Sequence, residues 1–154
     1  ANNTDLVRQF GELGLLDYAI TYFYNVFGPG EISDGSYATV VAKFLKAKEQ
    51  GYSVNITTPG TQVRNFTHID DIVAGLILVG MSGHGDGYGI GADETYSIVE
   101  LANIIGVKWE MVHANRGMRH AAELVTKKTK ELGWKQTKNL LDYILLNTEF
   151  KDKD

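Results

Sequence analysis

Cysteine is absent from the 154 residues, proline occurs twice, and the longest apolar run is only "IVAGLILVGM", Ile72 to Met81. The first absence excludes disulfides and thiolate chemistry and is compatible with a reducing compartment. The last excludes a membrane-spanning helix, which needs about 20 apolar residues. No charged-then-apolar signal segment opens the sequence, so the expected location is cytoplasmic. A basic excess is also missing: the net charge is −4, and "KKTK" at 127–130 reads as the solvated face of a helix rather than a nucleic-acid footprint. No nucleic-acid or membrane partner is therefore expected. His68, His84, His113 and His120 form no i/i+3 or i/i+4 pair and have no thiol to join them, so the ligand spacing of a metal site is lacking. No Gly-x-Ser-x-Gly elbow is present. What is present is 44% hydrophobic and 22% charged residues, a globular composition at the length of one domain.

"NNTDLVRQFGELG" carries Leu6, Phe10 and Leu13 at helical spacing with Gly14 as the stop. "LDYAITYFYNV" predicts one strand, apolar on both faces and ended by Gly-Pro-Gly, which implies a sheet covered on both sides. "YATVVAKFLKAKEQG" predicts a helix with Val40, Val41, Phe44 and Leu45 inward and Gly51 as the stop. "YSVNITT" and "QVRNFTHI" are two strands around the turn "TPGT", and Asp70 and Asp71 open a helix through Met81. "GHGDGYGIG" reads as a turn followed by a strand with close backbone approach. Its glycines never reach the i, i+2, i+5 spacing of a phosphate cradle. Ser97 and Glu100 form a capping box, with Tyr96 and Leu101 at staple positions and Gly106 closing the helix. "KWEMVH" predicts a strand. "VTKKTKELGW" and "NLLDYILLNTEF" predict helices, the second with Leu141, Ile144 and Leu145 inward, and "KDKD" is expected to fray.

The carboxylate pairs Asp70/Asp71 and Asp93/Glu94 sit where helix starts and turns place them. Asn25 stands at a strand end, just before the chain must turn. Arg64 lies between Val63 and Phe66, where a half-buried guanidinium needs an anion: either a phosphate or a carboxylate such as Asp70 or Asp71. Arg116 and Arg119 flank Gly117 in "NRGMR", which suits either a phosphate grip or an ordinary solvated loop.

Four stretches in this order resemble blocks of the extended short-chain dehydrogenase/reductase family, most closely its UDP-glucose 4-epimerase-like epimerases and dehydratases. "YFYNVFGPGE" resembles the strand ending in Asn-Val-Tyr-Gly-Pro. "TQVRNFTHIDDIVAGLILV" resembles the Arg-Asp-Phe-x-x-Val-Asp-Asp block. "YGIGADETYSIVELANIIG" resembles the Asn-x-Gly-x-x-x-x-Tyr-Ser-x-x-Glu-Leu block, and "NRGMR" with "TKKTKELGWK" the closing phosphate loop and helix.

The resemblance implies an α/β fold: the C-terminal part of a Rossmann-type epimerase, with the last strands of the parallel sheet and the small substrate-binding lobe in one segment. It implies that Asn25 bonds the diphosphate of a nucleotide sugar, a UDP-hexose above all, and that Arg64 and Arg116 hold the phosphates. Thr39 and Val40 would line the sugar-nucleotide site, Asn55 would approach the base through its backbone, and Phe23 would lie near the nicotinamide of NAD.

The family holds NAD on an N-terminal glycine fingerprint, uses a Tyr-x-x-x-Lys pair as base, and passes hydride from sugar to NAD and back. Neither Gly-x-Gly-x-x-Gly nor Tyr-x-x-x-Lys occurs in these residues. "ANNTDLV" resembles the helix directly after the catalytic Lys. Other departures are Tyr22 for Arg, Thr57 for the base-stacking aromatic, and Asn65 for Asp. Arg119 stands where one branch of the family has Asp and another has Arg.

The expectation is the C-terminal portion of an NAD-dependent enzyme, homodimeric at full length, whose N-terminal half is missing here and which is inactive alone. Three alternatives remain: a stand-alone nucleotide-sugar-binding module, another family activity such as dehydration or reduction, and an α/β interaction protein whose motifs only pack.

Overall fold

The computed structural model describes residues 3–113 and 124–149. In chain order the first elements are α1 (Asn3–Glu12), β1 (Ala19–Phe23), β2 (Val26–Phe27), α2 (Val40–Gln50), β3 (Val54–Thr57), β4 (Val63–Asn65), β5 (Thr67–His68) and α3 (Ile69–Ser82). There follow β6 (Gly85–Ile90), β7 (Thr95–Ser97), α4 (Ile98–Ile105), β8 (Trp109–Val112), α5 (Lys127–Glu131) and α6 (Leu140–Glu149). The strands pair in couples: β1 with β6, β2 with β5 and β3 with β8 are parallel, and β4 with β7 is antiparallel. The architecture is α/β, as the sequence pattern implies. Among the described residues no helix is long and apolar enough to cross a membrane.

Two segments expected as single strands are each two. Asn25, with φ of 37°, turns the chain between β1 and β2, so that the first half pairs with β6 and the second with β5. Likewise β4 and β5 flank buried Phe66 and belong to different couples. No glycine or proline marks either break, which is why the sequence alone joins them.

The larger core gathers Val41, Phe44 and Ala47 of α2, Val54 and Ile56 of β3, Leu101, Ala102 and Ile105 of α4, and Leu140 and Ile144 of α6 around Phe27 and Phe66. Removing side chains such as Phe27, Leu101 and Ile105 fully from water contributes roughly 2 kcal/mol each. Val40 and Leu45 pack against this core from its margin. A second cluster joins Ile72 of α3, Ile90 of β6 and Trp134.

The inward face of α6 differs from expectation. Leu140 and Ile144 are buried, while Leu141 and Leu145 are 41% and 50% exposed. Each residue turns the helix by about 100°, so choosing the stripe one position along moves it out of the core. The Ser97/Glu100 capping box forms in both directions, at 3.1 and 2.7 Å, and Gly106 ends α4 at φ of 75°.

Asp70 and Asp71 lie in the first turn of α3, but the cap is His68, whose Nδ1 accepts the Asp70 N–H at 3.1 Å. The stripe of α1 also differs from a core stripe: Leu6, Phe10 and Leu13 are exposed. Polar contacts fix this helix. Arg8 Nε donates to Asp86 Oδ2 at 2.8 Å, and Tyr22 donates its hydroxyl hydrogen to Asp86 Oδ1 at 2.8 Å.

β6 is the strand of close approach expected of the glycine-rich stretch. A Cβ on Gly89 would stand 2.0 Å from the Val125 carbonyl oxygen, which instead accepts the Gly89 N–H at 3.0 Å. "KDKD" lies outside the described residues.

Candidate functional site

The carboxyl ends of β1 and β6 lie side by side, with Phe23 opposite Ile90. In sheets of parallel strands this is where ligands bind. Phe23, at the end of β1, is 48% exposed. Tyr24 follows: its ring lies against Gly91, and its hydroxyl accepts the Val125 N–H at 3.1 Å.

Asn25 comes next, exposed and in the left-handed region that asparagine tolerates better than other residues with a Cβ. Two bonds hold it there. Its carbonyl accepts the Thr67 N–H at 3.2 Å, and its Nδ2 donates to the Asn65 carbonyl at 2.9 Å. The backbone break that splits β1 from β2 therefore delivers Asn25 to the neighbourhood of β4.

Arg64 precedes Asn65 on β4, pairs in register with Tyr96, and donates from Nη1 to the Val63 carbonyl at 2.8 Å. It is half-buried, as its apolar neighbours imply. The two carboxylates offered to it as alternative partners are engaged by the 137–138 segment: Asp70 pairs with Lys138, and Asp71 accepts from Thr137 and the Lys138 N–H. Asn25 is thus tied to the residue that follows Arg64 on β4.

Thr39 occupies the N-cap of α2. Its Oγ1 accepts the Ala42 N–H at 3.3 Å and donates to Glu31 Oε1 at 2.6 Å. Burial pushes the Glu31 carboxyl above the ordinary carboxylate range, against the opposing pull of that Thr39 bond. Val40 turns toward the larger core. Thr39 is tied to the 28–31 loop, and no hydrogen bond among the described residues joins it to Asn25.

Asn55 is exposed on β3 opposite Glu110, and no hydrogen bond among the described residues links it to Asn25. Arg116 and Arg119 lie outside the described residues. Two polar groups that the sequence did not mark as working residues hold this region together, Asn65 and Glu31. Glu31 follows Gly-Pro-Gly and reads locally as loop, while the partners of Asn65 lie far along the chain, so neither leaves a local signal.

Of the glycines of 83–91, Gly89 and Gly91 are committed to packing under Tyr24, Leu124 and Val125. The glycines of 83–91 never take the spacing of a dinucleotide fingerprint, so this stretch carries no such cradle.

The profile of the NAD dependent epimerase/dehydratase family matches residues 3–91. The chain belongs to that family. It is 34% identical to UDP-glucuronic acid decarboxylase 3 of Arabidopsis thaliana over 103 residues, which cover 66% of this chain and 28% of that protein. With UDP-glucuronic acid decarboxylase 5 of the same plant it shares 29% identity over 94% of this chain and 43% of that protein. The crystal structure of UDP-glucose 4-epimerase from Thermotoga maritima with UDP-glucose superposes with a TM-score of 0.82 at 27% identity, over 97% of this chain and 50% of that one. The chain thus spans half or less of each of these proteins. The resemblance to the extended short-chain dehydrogenase/reductase family, and the fold it implies, stand on these matches. They place the chain among homologues of NAD-dependent nucleotide-sugar epimerases, dehydratases and decarboxylases.

Proposed function

We propose that this chain is the substrate-binding, C-terminal portion of an NAD-dependent nucleotide-sugar epimerase of the UDP-hexose 4-epimerase type. The observation that carries the reading is Asn25. It is an asparagine in a left-handed conformation at the carboxyl end of a parallel strand, tied to the strand that bears Arg64. An amide donor tied to the strand that carries a guanidinium suits a diphosphate.

On this reading Thr39, Val40 and Asn55 bound the sugar-nucleotide site, Arg116 adds a phosphate contact, and Phe23 faces the nicotinamide. NAD, its glycine fingerprint and the catalytic base belong to an N-terminal half of the full-length enzyme. The unpaired edge of β1 among the described residues supports such a division. A second reading, decarboxylation of a UDP-uronic acid, is favoured by the names of the Arabidopsis relatives.

Calorimetric titration of the chain with UDP-glucose and UDP-glucuronic acid tests both. Binding of UDP-glucose that Asn25→Asp and Arg64→Ala each weaken at least ten-fold supports the site. Absence of binding to either nucleotide sugar removes it. Preference for the uronic acid moves the assignment to the decarboxylases. Turnover of UDP-glucose by the chain with NAD alone would overturn the division of labour.

A further inference from the structure

Asn65 stands where the family pattern has an acid, and its surroundings give a chemical reason for the amide. Its Nδ2 donates to the Ala92 carbonyl at 2.8 Å, and the Asp93 and Glu94 carbonyls approach at 3.4 and 3.5 Å. All three of these atoms are acceptors, so the donor half of the amide suits them. An ionised carboxylate of the same shape would face three carbonyl oxygens with no hydrogen to offer.

The backbone of the same residue works in the opposite direction: its carbonyl accepts Asn25 Nδ2 at 2.9 Å. Thr67 runs a second, parallel tie, donating its N–H to the Asn25 carbonyl at 3.2 Å and accepting the Ala92 N–H on Oγ1 at 3.0 Å. Ala92 and Thr67 are both buried. From the far side, Lys130 Nζ grips both oxygens of Asp93 at 2.7 and 2.8 Å.

The loop after β6 is therefore pinned, and through Asn65 and Thr67 it pins Asn25. Strand alternation sends the Arg64 side chain to the opposite face from that of Asn65, so whatever fixes Asn65 also fixes the direction of Arg64.

We propose that Asn65 is a positioning residue for nucleotide-sugar binding: its amide locks the Ala92–Glu94 loop and, through its own carbonyl, aims the second Nδ2 hydrogen of Asn25 at the ligand phosphate. The proposal rests on the reading of Asn25 and Arg64 as phosphate-binding groups. It adds a residue whose donor, rather than its size, is required.

The decisive variant is Asn65→Asp, which keeps the shape and removes the donor at neutral pH. UDP-glucose affinity at pH 7.5 is expected to fall about ten-fold, as for loss of one part-buried donor, and to recover relative to wild type as the pH drops toward 4 and the new acid regains an O–H. Packing alone would give no such pH profile. Unchanged affinity overturns the proposal, as does a loss independent of pH that follows the loss of melting temperature.

Two amide signals of the wild-type chain give a separate arm, because they depend neither on ligand nor on the folding of the variant. The Nδ2 hydrogen that Asn65 gives to the Ala92 carbonyl and the one that Asn25 gives to the Asn65 carbonyl are expected to exchange more slowly than those of a free amide, and fast exchange at both overturns the linkage. A wild-type chain that ignores UDP-glucose while both amides are protected refutes the phosphate site, and with it the ligand-aiming role, while leaving the Asn65–Asn25 linkage established.

Discussion

The carboxylate of Asp71 binds the hydroxyl of Thr137 at 2.6 Å and the backbone N–H of the same residue at 3.1 Å. Asp71 also takes the Lys138 N–H at 3.0 Å, and its carbonyl accepts the indole N–H of buried Trp134 at 2.8 Å. A charge that is 2% exposed is tolerable because its oxygens are met by donors from one short segment. The result is a latch that holds the 134–138 stretch against the start of α3.

Asp71→Ala leaves three donors facing an empty site. It is expected to cost about 3 kcal/mol of stability. Asp71→Asn keeps one acceptor and should cost less. Urea denaturation of the three chains checks the order, and equal midpoints would show that the latch contributes nothing.

His68 caps α3 through Nδ1, packs edge-on against Phe27 and Tyr143, and is 5% exposed. Only the neutral ring can accept the Asp70 N–H. Burial holds its pKa below the ordinary histidine value. Asp70 and Asp71 pull it up, and Lys138 pushes it down.

A base with a depressed folded pKa binds fewer protons in the native than in the unfolded state. Its contribution to stability is therefore complete above the unfolded value, near 6.5, and is lost as pH falls from there through the folded value. Melting temperatures measured from pH 7.5 to 5 should fall more steeply for wild type than for His68→Asn, whose side-chain oxygen can cap without titrating. Parallel curves would remove His68 as the source.

Local signals in the sequence were enough for the helices with caps. Ser97, Glu100 and Gly106 bound α4 through bonds spanning three or four residues, and those partners are visible in the chain itself. The two strand breaks were not legible, because neither Tyr24–Asn25 nor Phe66 brings a glycine or proline where the backbone changes partner strand. The α6 face was misplaced by one position because leucines occur on both sides of Ile144. For the site, Asn25 and Arg64 were visible as polar residues in apolar stretches. What joins them was not, since the ties from Asn65 reach residues 40 positions back and 27 positions forward.

The remaining prediction concerns apolar surface that the described residues leave open. Val73, Leu76, Ile77 and Met81 of α3 are 46, 38, 58 and 81% exposed. Their spacing puts them on one side of the helix, opposite the Ile72, Gly75 and Val79 side that packs inward. β1, against which α3 packs, pairs with β6 on one edge and shows Tyr22 and Phe23 to solvent. An apolar helix face beside the open edge of a parallel strand is a surface that associates, because burying it removes hydrocarbon from water and gives the strand amides a partner. The 154-residue chain should therefore sediment faster as its concentration rises. Ile77→Lys with Met81→Lys should suppress that rise while leaving the melting temperature nearly unchanged, because neither side chain contributes to the core. Equal concentration dependence in the wild type and the double variant would put the association elsewhere. A double variant that no longer melts cooperatively would show that this face contributes to the fold of the chain itself.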